Sequence, residues 1–213
     1  MTIFHDRQHA GRQLAAELAE RNLGTDPIVL GLARGGVPVA YEIARHLKIP
    51  LDAFVVRKLG VPFQPELAFG AIASGDVRIL NDDVLRVAGI TQQTIEEITW
   101  DQRRELIRRE EMYRAGAEPH DFSDRTVILA DDGIATGATM AVAVEALRSH
   151  RPEVIIGVVP VGSRAGRANV GRRADDLICL HTPEPFMGVG AWYDDFRETT
   201  DEDVRALLKK ARS

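Results

Sequence analysis

The chain contains five runs that are rich in apolar residues and of strand length, at residues 28–32, 51–60, 126–132, 153–161 and 176–180. Stretches with apolar residues at helical spacing follow three of them, at residues 37–47, 137–150 and 163–173. Strand, helix and strand within about 30 residues is the pattern of a parallel crossover unit. Mostly continuous rather than alternating apolar strands are typical of a sheet covered on both faces. The pattern therefore predicts an α/β fold with an open, mainly parallel sheet flanked by helices.

Four further segments fall outside this alternation. Residues 6–21 predict a short amphipathic helix, and residues 66–80 predict a β-hairpin with its turn at Ser74, Gly75 and Asp76. A long polar helix is expected from an N-cap at Thr91 to about residue 113, and the tail 181–213 ends in a short helix. We expect one domain over residues 1–213. Its core covers about 28–182, and a small hood lobe comprises the first helix, the 60–115 insertion and the 183–213 tail.

Composition and charge narrow the class of function. The net charge of −5 disfavours nonspecific binding to nucleic acid, because such binding needs a basic surface. Cys179 is the single cysteine, so no disulfide forms within the chain, which fits a reducing compartment. No apolar run approaches the roughly 18 residues of a membrane span, and the N-terminus has no signal-like segment. We expect a cytoplasmic protein without nucleic-acid or membrane partners.

The stretch VILADDGIATGATM, residues 127–140, carries the clearest candidate chemistry. It places Asp131 and Asp132 at the carboxyl end of a strand, where ligands bind in open α/β sheets. Paired carboxylates can accept hydrogen bonds from a sugar diol or bind a divalent cation. The following Gly and Thr residues lead into a helix N-terminus, which favours a phosphate. The alternative is that the acids only cap a helix and the glycines only turn the chain.

Cations follow two other predicted strands. Arg34 precedes Gly35 and Gly36 after the first strand, and this trio could present a charge and backbone amides to an anion. Arg57 and Lys58 are expected at the carboxyl end of the second strand, where adjacent cations suit a diphosphate. A simple turn with a surface arginine, and solvated charges, are the respective alternatives.

The 127–140 stretch resembles the phosphoribosyl pyrophosphate motif of type I phosphoribosyltransferases, in which apolar residues and two acids precede a Thr-Gly-x-Thr loop. The resemblance implies that Asp131 and Asp132 hold the ribose hydroxyls. It implies that the 5′-phosphate is bound by the loop residues Ala135, Thr136, Gly137, Ala138 and Thr139. The segment LARGG resembles the family's pyrophosphate loop, which often contains a cis peptide bond, and this implies diphosphate binding by Arg34, Gly35 and Gly36.

The tail segment TPEPFMGVGAWYDDF resembles the segment that closes over the base in purine-salvage members of the family. It implies stacking of Phe186, and with it Trp192, on a nucleobase. It also implies an acid near Mg²⁺, at Asp194 or Asp195, so that Asp131, Asp132 and Asp194 form the expected metal set. Packing of these aromatic residues in the core is the alternative.

The whole pattern, including the N-terminal FHDRQHAGRQLA, resembles a subgroup of stand-alone bacterial phosphoribosyltransferases without an assigned base. The implied reaction is Mg²⁺-dependent transfer of the phosphoribosyl group of phosphoribosyl pyrophosphate to a nitrogenous base. Asp131, Asp132, Arg34 and Lys58 are the implied catalytic residues. Hypoxanthine-guanine enzymes carry an acidic base where this chain has Ala135, which leaves the acceptor, purine or pyrimidine, open. The oligomeric state is also open, a homodimer included.

Other functions and sites are weaker alternatives. The main one is a regulator on the same fold that senses phosphoribosyl pyrophosphate or a nucleotide without turnover. A phosphoacceptor receiver domain is disfavoured because its acids belong after the first strand. His5 and His9 have the spacing of zinc ligands without an evident third ligand. The arginines of residues 103–109 alternate with glutamate and predict a salt-bridged surface helix.

Overall fold

A computed structural model of the chain describes residues 2–24, 26–118 and 120–212, without the side chains of residues 65 and 66. The strands are β1 (Ile28–Leu32), β2 (Leu51–Phe54), β3 (Val56–Val61), β4 (Gln64–Ala73), β5 (Val77–Leu80), β6 (Thr126–Ala130), β7 (Val154–Val161) and β8 (Asp176–His181). The helices are α1 (Arg7–Ala19), α2 (Gly36–Leu47), α3 (Asp82–Ala88), α4 (Gln92–Arg114), α5 (Ala138–Arg148), α6 (Arg164–Gly171) and α7 (Asp201–Ala211). A 3₁₀ turn covers Val189–Trp192.

Five strands form the central sheet in the order β2-β1-β6-β7-β8, and every neighbouring pair is parallel. The central strand, β6, pairs with β1 through Val127 opposite Ile28 and with β7 through Val127 opposite Ile155. The predicted open parallel sheet is confirmed. Because the strands are parallel, the loops that follow β1 and β6 emerge at the same edge of the sheet.

Helices cover both faces of this sheet, which is why its strands are apolar on both sides. Successive residues of β6 alternate between the two layers: Ile128 packs with Ile43 of α2, and Leu129 packs with Val144 of α5. All four side chains are fully buried. Packing in the two layers therefore holds α2 and α5 against the sheet. Because α2 follows β1 and α5 follows β6, both helices begin at the carboxyl edge of the sheet.

The predicted second strand, residues 51–60, is wrong as a single element. β2 ends at Phe54. The backbone of the next residue, Val55, forms two hydrogen bonds with Ser74 and does not pair with β1. Its N–H donates to Oγ of Ser74 at 3.0 Å, and its carbonyl accepts from the Ser74 N–H at 2.9 Å. The chain therefore leaves the parallel sheet and enters a separate antiparallel sheet of order β3-β4-β5. The predicted hairpin, confirmed as β4 and β5, is part of this second sheet.

The insertion also contains one helix that was predicted and one that was not. Thr91 caps α4 by accepting a hydrogen bond from the Thr94 N–H at 3.2 Å, as predicted. The shorter α3 was missed, although Asn81 caps it and Gly89 ends it in a left-handed conformation. The long α4 is predominantly polar, and in the described ranges no helix has the length and apolarity needed to cross a bilayer.

The two ends of the chain meet beside the central sheet. Phe4 and His5 accept backbone hydrogen bonds from Asp194 and Asp195 at 2.9 and 2.8 Å. After this contact, Thr200 and Asp203 form a reciprocal capping box that starts α7, which packs on α2 and α4. The N-terminal residues and the tail therefore approach the same edge of the sheet.

We predict that Gly31→Ala lowers the free energy of unfolding by about 1–3 kcal/mol, the usual effect of overpacking. Gly31 lies in β1, where an added Cβ would stand 2.7 Å from the Cα of Val37 in α2. Since that neighbour is backbone, the helix must move away from the strand. Urea unfolding measures the change. The control is Gly171→Ala at the end of α6, whose Cβ meets nothing within 4 Å and which should leave stability unchanged or raise it by up to about 1 kcal/mol. Equal effects of the two variants would contradict the prediction.

Candidate functional site

Two of the predicted loops lie against each other at the carboxyl edge of the sheet. Asp131 and Asp132 follow β6, and Gly35 and Gly36 follow β1. A Cβ atom at Gly35 would overlap Oδ2 of Asp132, and one at Gly36 would overlap the carbonyl oxygen of Ala130. Both positions therefore require glycine, because only glycine lets the backbone of one loop reach the acids of the other.

The two carboxylates share a half-buried site. Oδ1 of Asp131 accepts a hydrogen bond from the Asp132 N–H at 2.9 Å. Burial, together with the charge of Asp132, raises the pKa of Asp131 well above its ordinary value. Burial also raises the pKa of Asp132, although the nearby Arg7 opposes that rise. The pair thus combines two acceptors in a place where a second full negative charge is unfavourable.

Arg7 is the partner of this pair, and sequence reasoning missed it. Its Nε donates to Oδ2 of Asp132 at 2.7 Å, and the two side chains are only 11% and 15% exposed. Its Nη1 donates to the carbonyl oxygen of Arg197 at 2.8 Å, and its guanidinium lies 3.9 Å from the ring centroid of Phe196. In the sequence, the N-terminal segment stands out only as part of the family resemblance. No local pattern singles out Arg7 among the residues of α1.

Tyr193 is a second residue that sequence reasoning did not place at the acids. Its hydroxyl donates to the carbonyl oxygen of Asp132 at 2.6 Å. Its ring packs at 4.9 Å from Phe196 and 5.4 Å from Phe4. Burial raises the pKa of Tyr193, so the hydroxyl stays protonated and remains a donor. The tail therefore fixes the backbone of the acid pair as well as the side chain of Arg7.

The Thr-Gly loop leads from the acids to the first turn of α5. Gly137 caps this helix with a positive φ of 73° and packs against the carbonyl oxygen of Gly166. The Thr136 carbonyl accepts from Nδ2 of Asn169 at 2.9 Å, and the Ala135 carbonyl accepts from the Ser163 hydroxyl. The first N–H groups of a helix have no partner four residues before them. Because the Ala135 and Thr136 carbonyls accept hydrogen bonds from Ser163 and Asn169, they are occupied on the side of α6. The N–H groups of the loop therefore suit an anion.

Arg34 lies at the predicted place, next to the glycines, and the Ala33–Arg34 peptide bond is cis. The tail residue Glu198 forms an ion pair with the Arg34 guanidinium. The Arg34 side chain is 31% exposed and that of Glu198 is 74% exposed. The charge of Arg34 is therefore at the surface of the site, where an incoming anion can compete with an exposed carboxylate.

Arg57 and Lys58 are not at the end of β2, where they were expected, but inside β3. Neighbouring residues of a strand point to opposite faces, so the two cations cannot act side by side. Gln102 of α4 holds Arg57 by accepting from Nε at 3.0 Å and from Nη2 at 2.7 Å. Burial, and then the nearby charge of Arg109, lowers the pKa of Arg57. Lys58 is exposed.

The arginines of α4 form the predicted salt bridges but are not simply a solvated face. Arg108 and Arg109 both donate to Glu105 at 2.8 Å, which lowers the pKa of that carboxyl to about 2. Arg109 is only 18% exposed and is close enough to Arg57 to affect its ionisation. Arg108 lies 3.5 Å from Asp201, which accepts from the Tyr113 hydroxyl. The helix therefore supplies positive charge beside Arg57.

The predicted base-binding residues lie in a small aromatic cluster near the acids. Phe186 and Trp192 are partly buried and pack with Phe4 and Tyr193. Nε1 of Trp192 is buried and has no hydrogen-bond partner in the described part of the chain. Val189 contacts the first loop residue after the acids, because a Cβ at Gly133 would stand 2.5 Å from its Cγ1. Core packing is thus a role these side chains already have.

The structure does not bring Asp194 into a group with Asp131 and Asp132. Its carboxylate accepts a hydrogen bond from the Thr2 hydroxyl at 2.5 Å, and among the described residues no cluster of three or more His, Cys, Asp or Glu could hold a metal. The expected set of three carboxylates is therefore not formed. The two remaining carboxylates, Asp131 and Asp132, match the one or two protein carboxylates that typically hold a Mg²⁺ ion together with phosphate groups.

The proposed zinc pair has a local role. Nδ1 of His9 accepts a hydrogen bond from the His5 N–H at 3.1 Å.

Comparison with known proteins identifies the family to which this architecture belongs. The family model of the phosphoribosyl transferase domain matches residues 3–188. The TT1426 protein of Thermus thermophilus is 42% identical over 99% of both chains, and its crystal structure superposes with a TM-score of 0.86. The chain therefore belongs to the phosphoribosyl transferase family, and its fold is that of the type I enzymes.

Two relatives by sequence extend this comparison. The Mycobacterium tuberculosis H37Rv protein Rv0571c, named as a phosphoribosyl transferase, is 46% identical over 99% of this chain and 47% of its own length. This chain thus spans about half the length of that relative. The Bifunctional protein PyrR of Clostridium acetobutylicum is 30% identical over 67% of this chain and 62% of its own length.

The half-buried acids give different expectations for two conservative substitutions. We predict that Asp131→Asn raises the free energy of unfolding at pH 8, because the folded state disfavours the ionised carboxylate and asparagine cannot ionise. The raised pKa means that the folded protein holds the Asp131 proton more tightly than the unfolded chain does. Ionisation therefore costs stability as the pH rises from about 4 through the raised pKa, and asparagine removes that cost.

The matched variant, Asp132→Asn, should gain less stability at pH 8 than Asp131→Asn does, because it also removes the ion pair with Arg7 that opposes the rise in the pKa of Asp132. Urea unfolding at pH 4 and at pH 8 measures both effects. The gain from Asp131→Asn should be absent at pH 4. A gain of the same size at both pH values would contradict this account of the acid pair.

Proposed function

We propose that this protein transfers the phosphoribosyl group of phosphoribosyl pyrophosphate to a nitrogenous base and releases pyrophosphate in an Mg²⁺-dependent reaction. The observation that carries the proposal is the contact between Gly35 and Asp132. It places the pyrophosphate-loop sequence directly against the acid pair, so that a ribose and its diphosphate would bind next to each other. We place the reaction in the cytoplasm, in line with the single unpaired Cys179.

The sugar and its phosphate are assigned to the loop after β6. Asp131 and Asp132 accept hydrogen bonds from the ribose hydroxyls. The loop from Ala135 to Thr139 binds the 5′-phosphate through its N–H groups and threonine hydroxyls, at the N-terminus of α5. The hydrogen bonds of the loop carbonyls to α6 support this assignment, because they turn the acceptors away from an anion.

The diphosphate is assigned to Arg34 and the backbone at Gly35 and Gly36. Arg57 lies in β3 beside the arginines of α4 and supplies a second cation. Lys58, on the other face of the strand, is the weaker candidate. Bond breaking at the anomeric carbon develops positive charge on the sugar and negative charge on the departing diphosphate. Fixed cations and oriented amides stabilise this leaving group, and positioning supplies the remainder of the catalysis.

Mg²⁺, when bound, would neutralise part of the diphosphate charge, and Asp131 and Asp132 are the carboxylates that would hold it. The acceptor base is assigned to the side of the site that Phe186 and Trp192 border, where an aromatic ring can stack on any base. Ala135 is exposed and offers no acid for proton abstraction. A positioned base typically contributes 10²–10⁴-fold, so we expect the best acceptors to be those that ionise without such help.

Pyrophosphate release tests this proposal directly. The protein, Mg²⁺ and phosphoribosyl pyrophosphate are incubated with a panel of purine, pyrimidine and other heterocyclic bases, and release is followed by a coupled assay. We predict that at least one base stimulates release and that Asp131→Asn lowers kcat/KM for it by about 100-fold or more. The control is Asp83→Asn, whose side chain is 86% exposed on α3 and which should leave the rate unchanged. No base-dependent release from the wild type would contradict the enzymatic proposal.

A binding protein without turnover is the second candidate, and Ala135 favours it because the site lacks an evident proton acceptor. In that case phosphoribosyl pyrophosphate or a nucleotide binds at the same loops and acts as a signal. Calorimetry separates the two candidates. Saturable binding that is lost in Asp131→Asn, without release of pyrophosphate on any base, supports the binding protein, whereas turnover supports the enzyme.

A further inference from the structure

The four carboxylate oxygens of the acid pair are not equally available. Oδ1 of Asp131 is occupied by the Asp132 N–H at 2.9 Å, and Oδ2 of Asp132 is occupied by Nε of Arg7 at 2.7 Å. Oδ2 of Asp132 also lies where a side chain at Gly35 would be. Within the described ranges, the other oxygen of each acid has no hydrogen-bond partner. The pair therefore offers one free acceptor oxygen from each of two adjacent carboxylates.

Arg7 is held in place from both ends of the chain. On its own side, Asp6 caps α1 by accepting from the His9 N–H at 2.6 Å, which fixes the first turn of the helix. On the other side, Phe196 lies under the guanidinium, and the Arg197 carbonyl accepts from it at 2.8 Å. An arginine restrained in this way is a rigid support, because it can rotate only if it gives up several contacts together.

We propose that Arg7 is a positioning residue for sugar recognition: it holds Asp132 so that the acid pair presents one free oxygen from each carboxylate to the two hydroxyl groups of a vicinal diol. This inference rests on the proposed function, in which the acids bind the ribose hydroxyls. It assigns Arg7, 125 positions before Asp132, to the specificity of the site. In this arrangement Arg7 acts through Asp132, since its Nε donates to that carboxylate and its Nη1 donates to the tail.

The consequence is a dependence on both hydroxyl groups. A ribose fills both free oxygens, whereas a 2-deoxyribose leaves one oxygen of the half-buried acids without a partner, which costs affinity. Without Arg7, the Asp132 carboxylate is free to rotate, and its two oxygens no longer hold a fixed position relative to Asp131. Loss of Arg7 should therefore reduce the preference for ribose more than it reduces affinity for the phosphate.

Equilibrium binding of two probes tests the proposal. Ribose 5-phosphate and 2-deoxyribose 5-phosphate are titrated by calorimetry into the wild type, Arg7→Lys, Arg7→Gln and the control Arg12→Gln. Arg12 lies on the same helix, 49% exposed and 3.9 Å from Glu42, so its loss removes the same charge away from the acids. The wild type and Arg12→Gln should prefer ribose 5-phosphate by about tenfold, the equivalent of one hydrogen bond to a charged group.

Arg7→Gln should lose most of this preference by binding ribose 5-phosphate about tenfold more weakly, while its affinity for 2-deoxyribose 5-phosphate stays nearly unchanged. Arg7→Lys, which keeps a donor and the charge, should retain part of the preference. Thermal unfolding accompanies each titration. Should Arg7→Gln fail to fold, Arg7→Lys and the double variant Arg7→Gln with Asp132→Asn, which removes both charges of the pair, take its place. In an Asp132→Asn background, replacing Arg7 should have little further effect on the preference.

Three results would overturn the inference, and each has a different consequence. A wild type that prefers ribose, with the same preference in Arg7→Gln and Arg7→Lys, removes Arg7 from sugar recognition and leaves the proposed function intact. A wild type that binds neither sugar phosphate nor phosphoribosyl pyrophosphate removes the proposed function, and the role of Arg7 with it. A uniform loss of affinity for both probes in Arg7→Gln assigns Arg7 to general stability or phosphate attraction and also overturns the inference.

Discussion

The close approach of the loop after β1 to the acids after β6 is the constraint on which the site depends. Gly35 leaves room for Oδ2 of Asp132, and Gly36 leaves room for the Ala130 carbonyl. Since β1 and β6 are parallel neighbours, the sheet brings these loops to one edge, and the glycines set how closely they meet. Any larger residue at these positions would separate the anion-binding backbone from the carboxylates.

That approach buries two adjacent acids, and the remainder of the site compensates for it. Burial raises the pKa of Asp131, and Arg7 offsets the charge of Asp132. Tyr193 satisfies the Asp132 carbonyl with its hydroxyl, and the tail places Phe196 under Arg7. The chain therefore uses its N-terminal segment and its tail, which meet at Phe4 and Asp194, to stabilise a site formed by the central sheet.

Most local elements could be predicted because their signals are local. The N-cap at Thr91, the apolar strand before Asp131 and the hairpin turn at residues 74–76 all depend on neighbours in sequence. The break at Val55 could not be predicted in this way. An apolar run continues through it, and only the pairing with Ser74, contributed by a distant turn, redirects the strand. The expected side-by-side placement of Arg57 and Lys58 failed for the same reason, since it assumed an uninterrupted β2.

The class of fold, the paired acids at the end of a strand, the Thr-Gly loop and the glycines beside Arg34 could all be predicted from local patterns, because the chemistry of each depends on adjacent residues. The groups that complete the acid pair are instead a result of long-range packing. Arg7 and Tyr193 reach Asp132 across 125 and 61 positions, and neither has a pattern that distinguishes it from its neighbours. Asp194 is not grouped with the acid pair, because its carboxylate accepts a hydrogen bond from the Thr2 hydroxyl. Long-range contacts of this kind depend on how the layers pack, and packing is a property of the whole chain.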